Sequence, residues 1–412
     1  MRCIHNARLI LPDRIADRAW LQIADEVIQV VGEGAPPDVH DRVDANGCYL
    51  APGFIDLHVH GGGGSDFLDA TAEAFLTAAD FHLFGGTTAI CPTAATTTYD
   101  HFDSFLSAWE TTKESCKARL LPVHLEGPHL ARAKAGAQNP KLMGPPGEKE
   151  RDWILRRTRS ISQMTIAPEL PGALELIETA TKAGVTMSAG HTEATDEDMQ
   201  AAVEAGLGKV THLFNAMSSA SKRKLFRQAG TLEYALANAN IFCELVADGF
   251  HVSPTLLKLA YRAKGADRIA LVSDSLAGAG LPEGTRFRLG NMACKVGPGY
   301  ALLEDESALA GSLARVIDLV RTMTQQAEVP LFEAVRMASL TPATILGIDD
   351  RFGSIKPHKT ADLVLFDDRF AVQRVWVAGK LVFDQMVDKE AAKTEFRTGD
   401  HEDLGGGTLD PE

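Results

Sequence analysis

The sequence predicts an α/β protein: a (β/α)₈ barrel of the TIM type, with a small β-sandwich domain built from both ends of the chain. Three observations lead there. Between residues 51 and 346, apolar or β-branched runs alternate with amphipathic helical patterns. The flanks carry only short strand-like pieces, too short to form a stable sheet separately. Histidines and acids fall at the carboxyl ends of the predicted barrel strands, where the βα loops of such barrels begin.

The eight strand candidates are 54–60, 87–93, 120–126, 164–168, 185–191, 210–215, 242–247 and 269–274. Amphipathic stretches such as 72–84, 173–183 and 254–264 lie between them, several entered by Thr, Ser or Pro and left at Gly. Eight β-runs, each followed by a helix, favour a closed barrel over an open sheet. On the flanks, 4–10, 19–24 and 27–31 pair with 361–366, 372–377 and 381–383, the last pair joined by a turn at Gly379-Lys380. The division expected is therefore 1–50 plus 347–398 as the small β-domain and 51–346 as the barrel. Residues 399–412, acidic and glycine-rich, form a tail expected to be poorly ordered.

Composition narrows the partners. The 412 residues are 45% hydrophobic and 23% charged, enough apolar content for a large core. Forty-one basic against 55 acidic residues give a net charge of -14, and no basic run tracks a nucleic-acid backbone. Nucleic acid is not expected as a partner. The six cysteines (Cys3, Cys48, Cys91, Cys116, Cys243, Cys294) are scattered, with no C-x-x-C pair, so neither a thiolate metal cage nor a disulfide framework is indicated. The N-terminus lacks the apolar core of a signal peptide, and no run is long enough to span a bilayer. A soluble cytoplasmic protein with no membrane partner is expected.

The chemistry is carried by a ring of residues at strand ends. His58 and His60 stand two apart, so in a strand both imidazoles point to one face and reach one cation, and the glycines at 61–64 let the backbone turn away. Glu126 ends the third strand, His191 the fifth, His212 lies at the sixth and Asp274 ends the eighth. Imidazole and carboxylate together suit a Zn²⁺-like ion, and this ring is large enough for one or two of them. For His124 the sequence leaves ligand and packing group both open. A phosphate-loop reading of glycines 61–64 or 278–280 fails because neither has the G-x-x-x-x-G-K-[ST] form, and the absence of a Gly-x-Ser-x-Gly elbow removes the commonest serine hydrolase.

These residues also carry a resemblance. The run Gly53-Phe-Ile-Asp-Leu-His58-Val-His60-Gly, the Glu126-Gly-Pro element, His191, the block Thr211-His212-Leu-Phe-Asn215-Ala-Met217, Asp248-Gly-Phe-His251 and Ser273-Asp274 resemble the N-acetylglucosamine-6-phosphate deacetylase family of the amidohydrolase superfamily. The likeness extends through Leu309-Ala-Gly-Ser312 and Gly353-Ser-Ile-Lys356 to Ala361-Asp-Leu. His-x-His is a signal of the superfamily, whereas the His-Leu-Phe-Asn-Ala-Met block with Asp-Gly-x-His is more specific to the deacetylases.

The resemblance implies that Glu126, His191 and His212 hold a primary metal, and that His58 and His60 with a bridging Glu126 hold a second. A metal activates water and polarises an amide, and Asp274 is placed to take the water's proton and return it to the departing amine. His251 would meet the sugar phosphate, with Asn215 and Ala216 helping to hold it. Arg227 would arrive from the partner subunit of a homodimer, with Lys222, Arg223 or Lys224 of the same loop as alternatives. Gln138 stands where many relatives have a histidine bonded to the substrate carbonyl, and Leu309 is placed against the acetyl methyl or in simple packing. The implied reaction releases acetate from N-acetylglucosamine 6-phosphate. Alternatives are another N-acyl hexosamine phosphate such as N-acetylgalactosamine 6-phosphate, a deaminase or cyclic amidohydrolase, and a non-catalytic barrel.

Overall fold

The computed structural model describes residues 1–388, so the expected tail at 399–412, like residues 389–398, lies outside the described residues. Eight parallel strands form the barrel: β1 (Phe54–Val59), β2 (Thr87–Ala94), β3 (Val123–Glu126), β4 (Ile161–Ile166), β5 (Thr186–Ala189), β6 (Lys209–Val210), β7 (Phe242–Leu245) and β8 (Ile269–Leu271). Pairing runs from β1 through β2, β3 and onward to β8. The ring is drawn together where the Asp274 N–H donates to the His58 carbonyl at 2.9 Å and the Ser273 N–H to the Asp56 carboxylate at 3.2 Å.

A helix follows each strand: α1 (Ala72–Leu83), α2 (Tyr99–Thr112), α3 (Glu148–Leu155), α4 (Ala173–Lys182), α5 (Asp196–Glu204), α6 (Thr231–Ala237), α7 (Pro254–Lys264) and α8 (Val316–Gln325). Their starts are chemically specified. The Thr71, Thr98 and Thr195 hydroxyls accept from the first-turn N–H groups of α1, α2 and α5, which those helices would otherwise leave unpaired. On α1, Ala74, Phe75, Ala78, Ala79 and Leu83 recur at helical spacing and are buried against the barrel wall. That stripe, not helix propensity, is the main source of the helix's stability.

Strands β5, β6 and β8 stop short of the expected 185–191, 210–215 and 269–274, ending at Ala189, Val210 and Leu271. The physical reason is backbone chirality. His191, His212 and Asp274 have φ of 47°, 29° and 47°, left-handed values at which a residue leaves the pleat. The chain turns at the ligand-bearing residues themselves.

Strands from both flanks of the described residues join one continuous eight-stranded sheet beside the barrel, in which Leu363–Phe366 lies antiparallel to Tyr49–Pro52. It has its own core, including Ile4, Leu9, Leu21, Leu363, Leu365 and Trp376. After β8 the chain adds a four-stranded antiparallel sheet, Arg286–Leu289, Met292–Val296, Tyr300–Leu303 and Leu309–Ser312, which the sequence reading does not anticipate. Its last strand returns to the barrel rim, where the Ser312 N–H donates to the Asp274 carbonyl at 2.9 Å.

Candidate metal centre

The six ring residues predicted from strand ends converge on one point. Glu126 sits between two pairs of histidines and completes a trio with each. On one side, the Nε2 atoms of His58 and His60 lie 3.7 Å and 3.3 Å from its carboxylate oxygens. On the other, the Nε2 atoms of His191 and His212 lie 3.0 Å and 3.1 Å from Oε1. All five side chains are buried. Asp274 Oδ1 stands 3.5 Å from His58 Nε2 and 3.3 Å from His60 Nε2.

This donor set fits a divalent ion. Nε2 faces Nε2 at 3.2 Å between His58 and His60 and at 3.1 Å between His191 and His212, contacts between two lone-pair acceptors unless a proton or cation lies between them. Ligands about 2.0–2.1 Å from a tetrahedral ion are separated by about 3.3 Å, which is the spacing found here. The trios His58, His60, Glu126 and Glu126, His191, His212 could each hold such an ion, with Glu126 shared.

The electrostatics follow from burial and neighbours. Burial works to lower the His58 and His60 pKa values, but the Glu126 and Asp274 carboxylates outweigh it, holding His58 well above the ordinary range and His60 at about 9. Burial works to raise Glu126, and the charges of His58 and His191 hold it well below the carboxylate range. Asp274 is lowered in the same way against burial, chiefly by His58 and His60.

The histidines are aimed by what lies behind them. The His58 Nδ1–H donates to Glu244 Oε2 at 3.1 Å, and the His191 Nδ1–H to the Lys134 carbonyl at 2.7 Å. Glu244 in turn bonds Lys209, and Lys209 bonds Gln163, all three fully buried inside the barrel. The sequence reading missed these three. Their signal was present: a Lys and a Glu inside short apolar runs of a buried parallel sheet have no solvent to face. His124, left open above, packs edge-on against His58 with ring centroids 4.6 Å apart and bonds Thr165 and Thr93, so it belongs to this inner layer.

The expected substrate contacts are spread more widely. The His251 side chain is 7% exposed, and its Nδ1 pairs with Asp248 Oδ2 at 2.7 Å; burial opposes its charged form, but Asp248, and more weakly Asp274, raise its pKa. The Gln138 amide is already engaged, donating to Glu126 Oε2 and accepting from the Thr96 N–H at 2.7 Å. Asn215 is half-buried with its amide near the Leu213 carbonyl at 3.4 Å, Ala216 has a left-handed φ of 47°, and Leu309 is 37% exposed. Arg227 is exposed on a hairpin, Ser221–Arg223 paired with Phe226–Gln228, together with Lys222, Arg223 and Lys224. The glycines after His60 turn into a two-residue ladder, Gly61–Gly62 against Ser65–Asp66, where a Cβ on Gly61 would come within 2.2 Å of the Ser65 carbonyl.

The amidohydrolase family model matches residues 49–382, which take in this whole site. The chain belongs to the amidohydrolase family. It is 32% identical to the N-acetylglucosamine-6-phosphate deacetylase of Lysinibacillus sphaericus, over 83% of this chain and 87% of that protein. It is equally 32% identical to the N-acetylgalactosamine-6-phosphate deacetylase of Escherichia coli O157:H7, over 91% of this chain and 97% of that one. Among solved structures it resembles a Mycobacterium smegmatis N-acetyl-D-glucosamine-6-phosphate deacetylase variant in complex with N-acetyl-D-glucosamine-6-phosphate, with a TM-score of 0.85 and 31% identity over 92% of this chain and 99% of that chain. Among the described residues no helix is long and apolar enough to cross a membrane.

Proposed function

We propose that this amidohydrolase cleaves the N-acetyl amide of N-acetylglucosamine 6-phosphate, giving glucosamine 6-phosphate and acetate. One observation carries the reading: the Asp274 carboxylate stands 3.3 Å and 3.5 Å from two imidazoles of a buried trio whose Glu126 is shared with a second trio. Glu126, His191 and His212 would hold one divalent ion, Zn²⁺ by the nitrogen and oxygen character of the set, and His58 and His60 with Glu126 a second. Such an ion lowers the pKa of water toward ~7 and polarises an amide carbonyl.

Asp274 accepts the proton of the attacking water and returns it to the sugar nitrogen, which is too basic to leave unprotonated. Its backbone is tied on both sides, N–H to His58 and carbonyl to Ser312, so the carboxylate stays aimed while the proton moves. His251 offers Nε2 to the phosphate, its Nδ1 being held by Asp248. Gln138, bonded to Glu126, presents an amide N–H but no positive charge to the substrate carbonyl. Asn215 and Ala216 would help to hold the phosphate, and Leu309 would meet the acetyl methyl. Arg227 acts in the partner's site of a homodimer. What supports this is the position of its hairpin, which projects with Leu225 and Phe226 84% and 77% exposed. All six cysteines are free, in keeping with a reducing cytoplasm.

Relatives named for the galacto epimer match equally well, so the test is acetate release from a panel of N-acetylhexosamines with and without 6-phosphate, with metal content measured on the same sample. The reading expects the gluco 6-phosphate to be the best substrate. Higher kcat/KM on the galacto epimer would move the assignment to that sugar, and no acetate from any of them would end it.

A further inference from the structure

Beneath the two trios the barrel interior is charged. Lys209 on β6 and Glu244 on β7 are both 0% exposed, and Gln163 on β4 joins them. Lys209 Nζ donates to Glu244 Oε1 and to Gln163 Oε1, and the Gln163 amide donates to the Leu57 carbonyl one residue before His58. The second Glu244 oxygen, Oε2, accepts the His58 Nδ1–H at 3.1 Å and lies 3.4 Å from the backbone N–H of His212. One carboxylate therefore touches a residue of each trio. Packing does not require this arrangement, because a buried ion pair is often no more stabilising than apolar side chains of the same volume.

We propose that Lys209 is a positioning residue: it pins the Glu244 carboxylate so that Oε2 fixes the ring plane and tautomer of His58, turning Nε2 toward Glu126 and His60. A carboxylate can only accept, so the proton on His58 must sit on Nδ1 and the lone pair on Nε2. Without Lys209, Glu244 loses the ammonium that holds its Oε1. It must then shift toward other donors, and His58 loses its support. This rests on the reading of His58 and His60 as an ion site. It concerns how tightly that site holds its ion, not which amide is cleaved.

The test uses chelator competition and metal analysis on purified holoenzyme, comparing Lys209→Met with two charge-neutral double variants, Lys209→Met/Glu244→Gln and Lys209→Met/Glu244→Leu. The Gln variant keeps an acceptor for His58 Nδ1–H, and its amide can donate to the Gln163 oxygen that Lys209 leaves. The Leu variant keeps the volume but offers no acceptor. Loss of an outer hydrogen bond to a metal-binding histidine typically weakens metal affinity ~10 to 100-fold. Lys209→Met and the Leu double variant should lose the second ion by that factor, and the Gln double variant should hold it within a few-fold of wild type. Equal affinity in the Gln and Leu variants, or wild-type affinity in Lys209→Met, overturns the proposal. If Lys209→Met does not fold, the Gln and Leu pair still decides it, since neither carries an unpaired charge. A wild-type protein that binds one ion only and still releases acetate refutes the proposal while leaving the deacetylase reading intact.

Discussion

The two trios share Glu126 but are built differently. The first takes its histidines from the end of one strand, His58 within β1 and His60 just past it, with His58 braced from below by a carboxylate and Asp274 standing beside it. The second takes its histidines from the turns that follow two strands, each at a left-handed residue, with His191 braced by a backbone carbonyl. A carboxylate behind an imidazole strengthens it as a donor more than a neutral carbonyl does, and a strand fixes direction more rigidly than a turn. The contrast lies in what stands behind the imidazoles: on the first side the charged series Lys209, Glu244 and His58, and on the second a neutral backbone carbonyl behind His191.

The largest effect should come from breaking what the two sides share. Glu126→Gln should cost both ions together and reduce acetate release to background, as read by metal analysis and a coupled acetate assay. Retention of one full equivalent would show that the trios do not depend on a common ligand. Asp274→Asn comes next. It removes the proton carrier while keeping side-chain volume, and kcat should fall ~10² to 10⁴-fold with metal content unchanged. A loss of only a few-fold would assign the base elsewhere.

Replacing both His58 and His60 by Asn separates the sides. Metal content should fall by about half, with the Glu126, His191 and His212 site still filled. Unchanged stoichiometry would remove the first-strand pair from the ligand set. Arg227→Ala tests a residue outside both trios, and should narrow the preference for phosphorylated over unphosphorylated sugar without touching metal content. Mixing it with Asp274→Asn under subunit exchange should restore activity in the heterodimer. Verified exchange with no recovery would return the phosphate contact to Lys222, Arg223 or Lys224.

Legibility in the sequence also follows the division between rim and interior. The rim could be read because its logic is local: His-x-His in a strand places two side chains on one face, and acids or histidines at strand ends face the catalytic rim of a barrel. The flanks could be read as one β-domain because pieces such as 27–31 and 361–366 are each too short to stand apart; the strand Tyr49–Pro52 that joins them to Leu363–Phe366 was not foreseen. The inner layer was legible only in part: a Lys and a Glu in buried strands mark it, but the partnership of Lys209, Gln163 and Glu244 spans three strands and only tertiary structure brings them together. Strand ends were overrun for a related reason. Left-handed φ at His191, His212 and Asp274 is imposed by the site and has no glycine to announce it. The sheet between Arg286 and Ser312 was missed because its strands are only four or five residues long.

The smallest effect concerns the backbone prop on the first side. His82 on α1 is fully buried, and its Nε2–H donates to the Gly61 carbonyl at 2.9 Å, supporting the turn that follows His60. Burial holds its pKa down at about 4, so the folded protein keeps this ring neutral where an unfolded chain would protonate it at about 6.5. The sign is then set. Between about pH 6.5 and 4 the unfolded state binds more protons than the folded one, so stability is present above that window and is lost as pH falls through it. A shift of this size corresponds to at most ~3 kcal/mol, spread over the whole window. His82→Gln keeps an N–H donor within reach of Gly61 but cannot titrate. Its Tm should therefore vary less than that of wild type between pH 6.5 and 4, while the two respond alike above pH 7. Parallel Tm profiles through the acid range would mean that His82 is not the group whose charging loosens the first side of the centre.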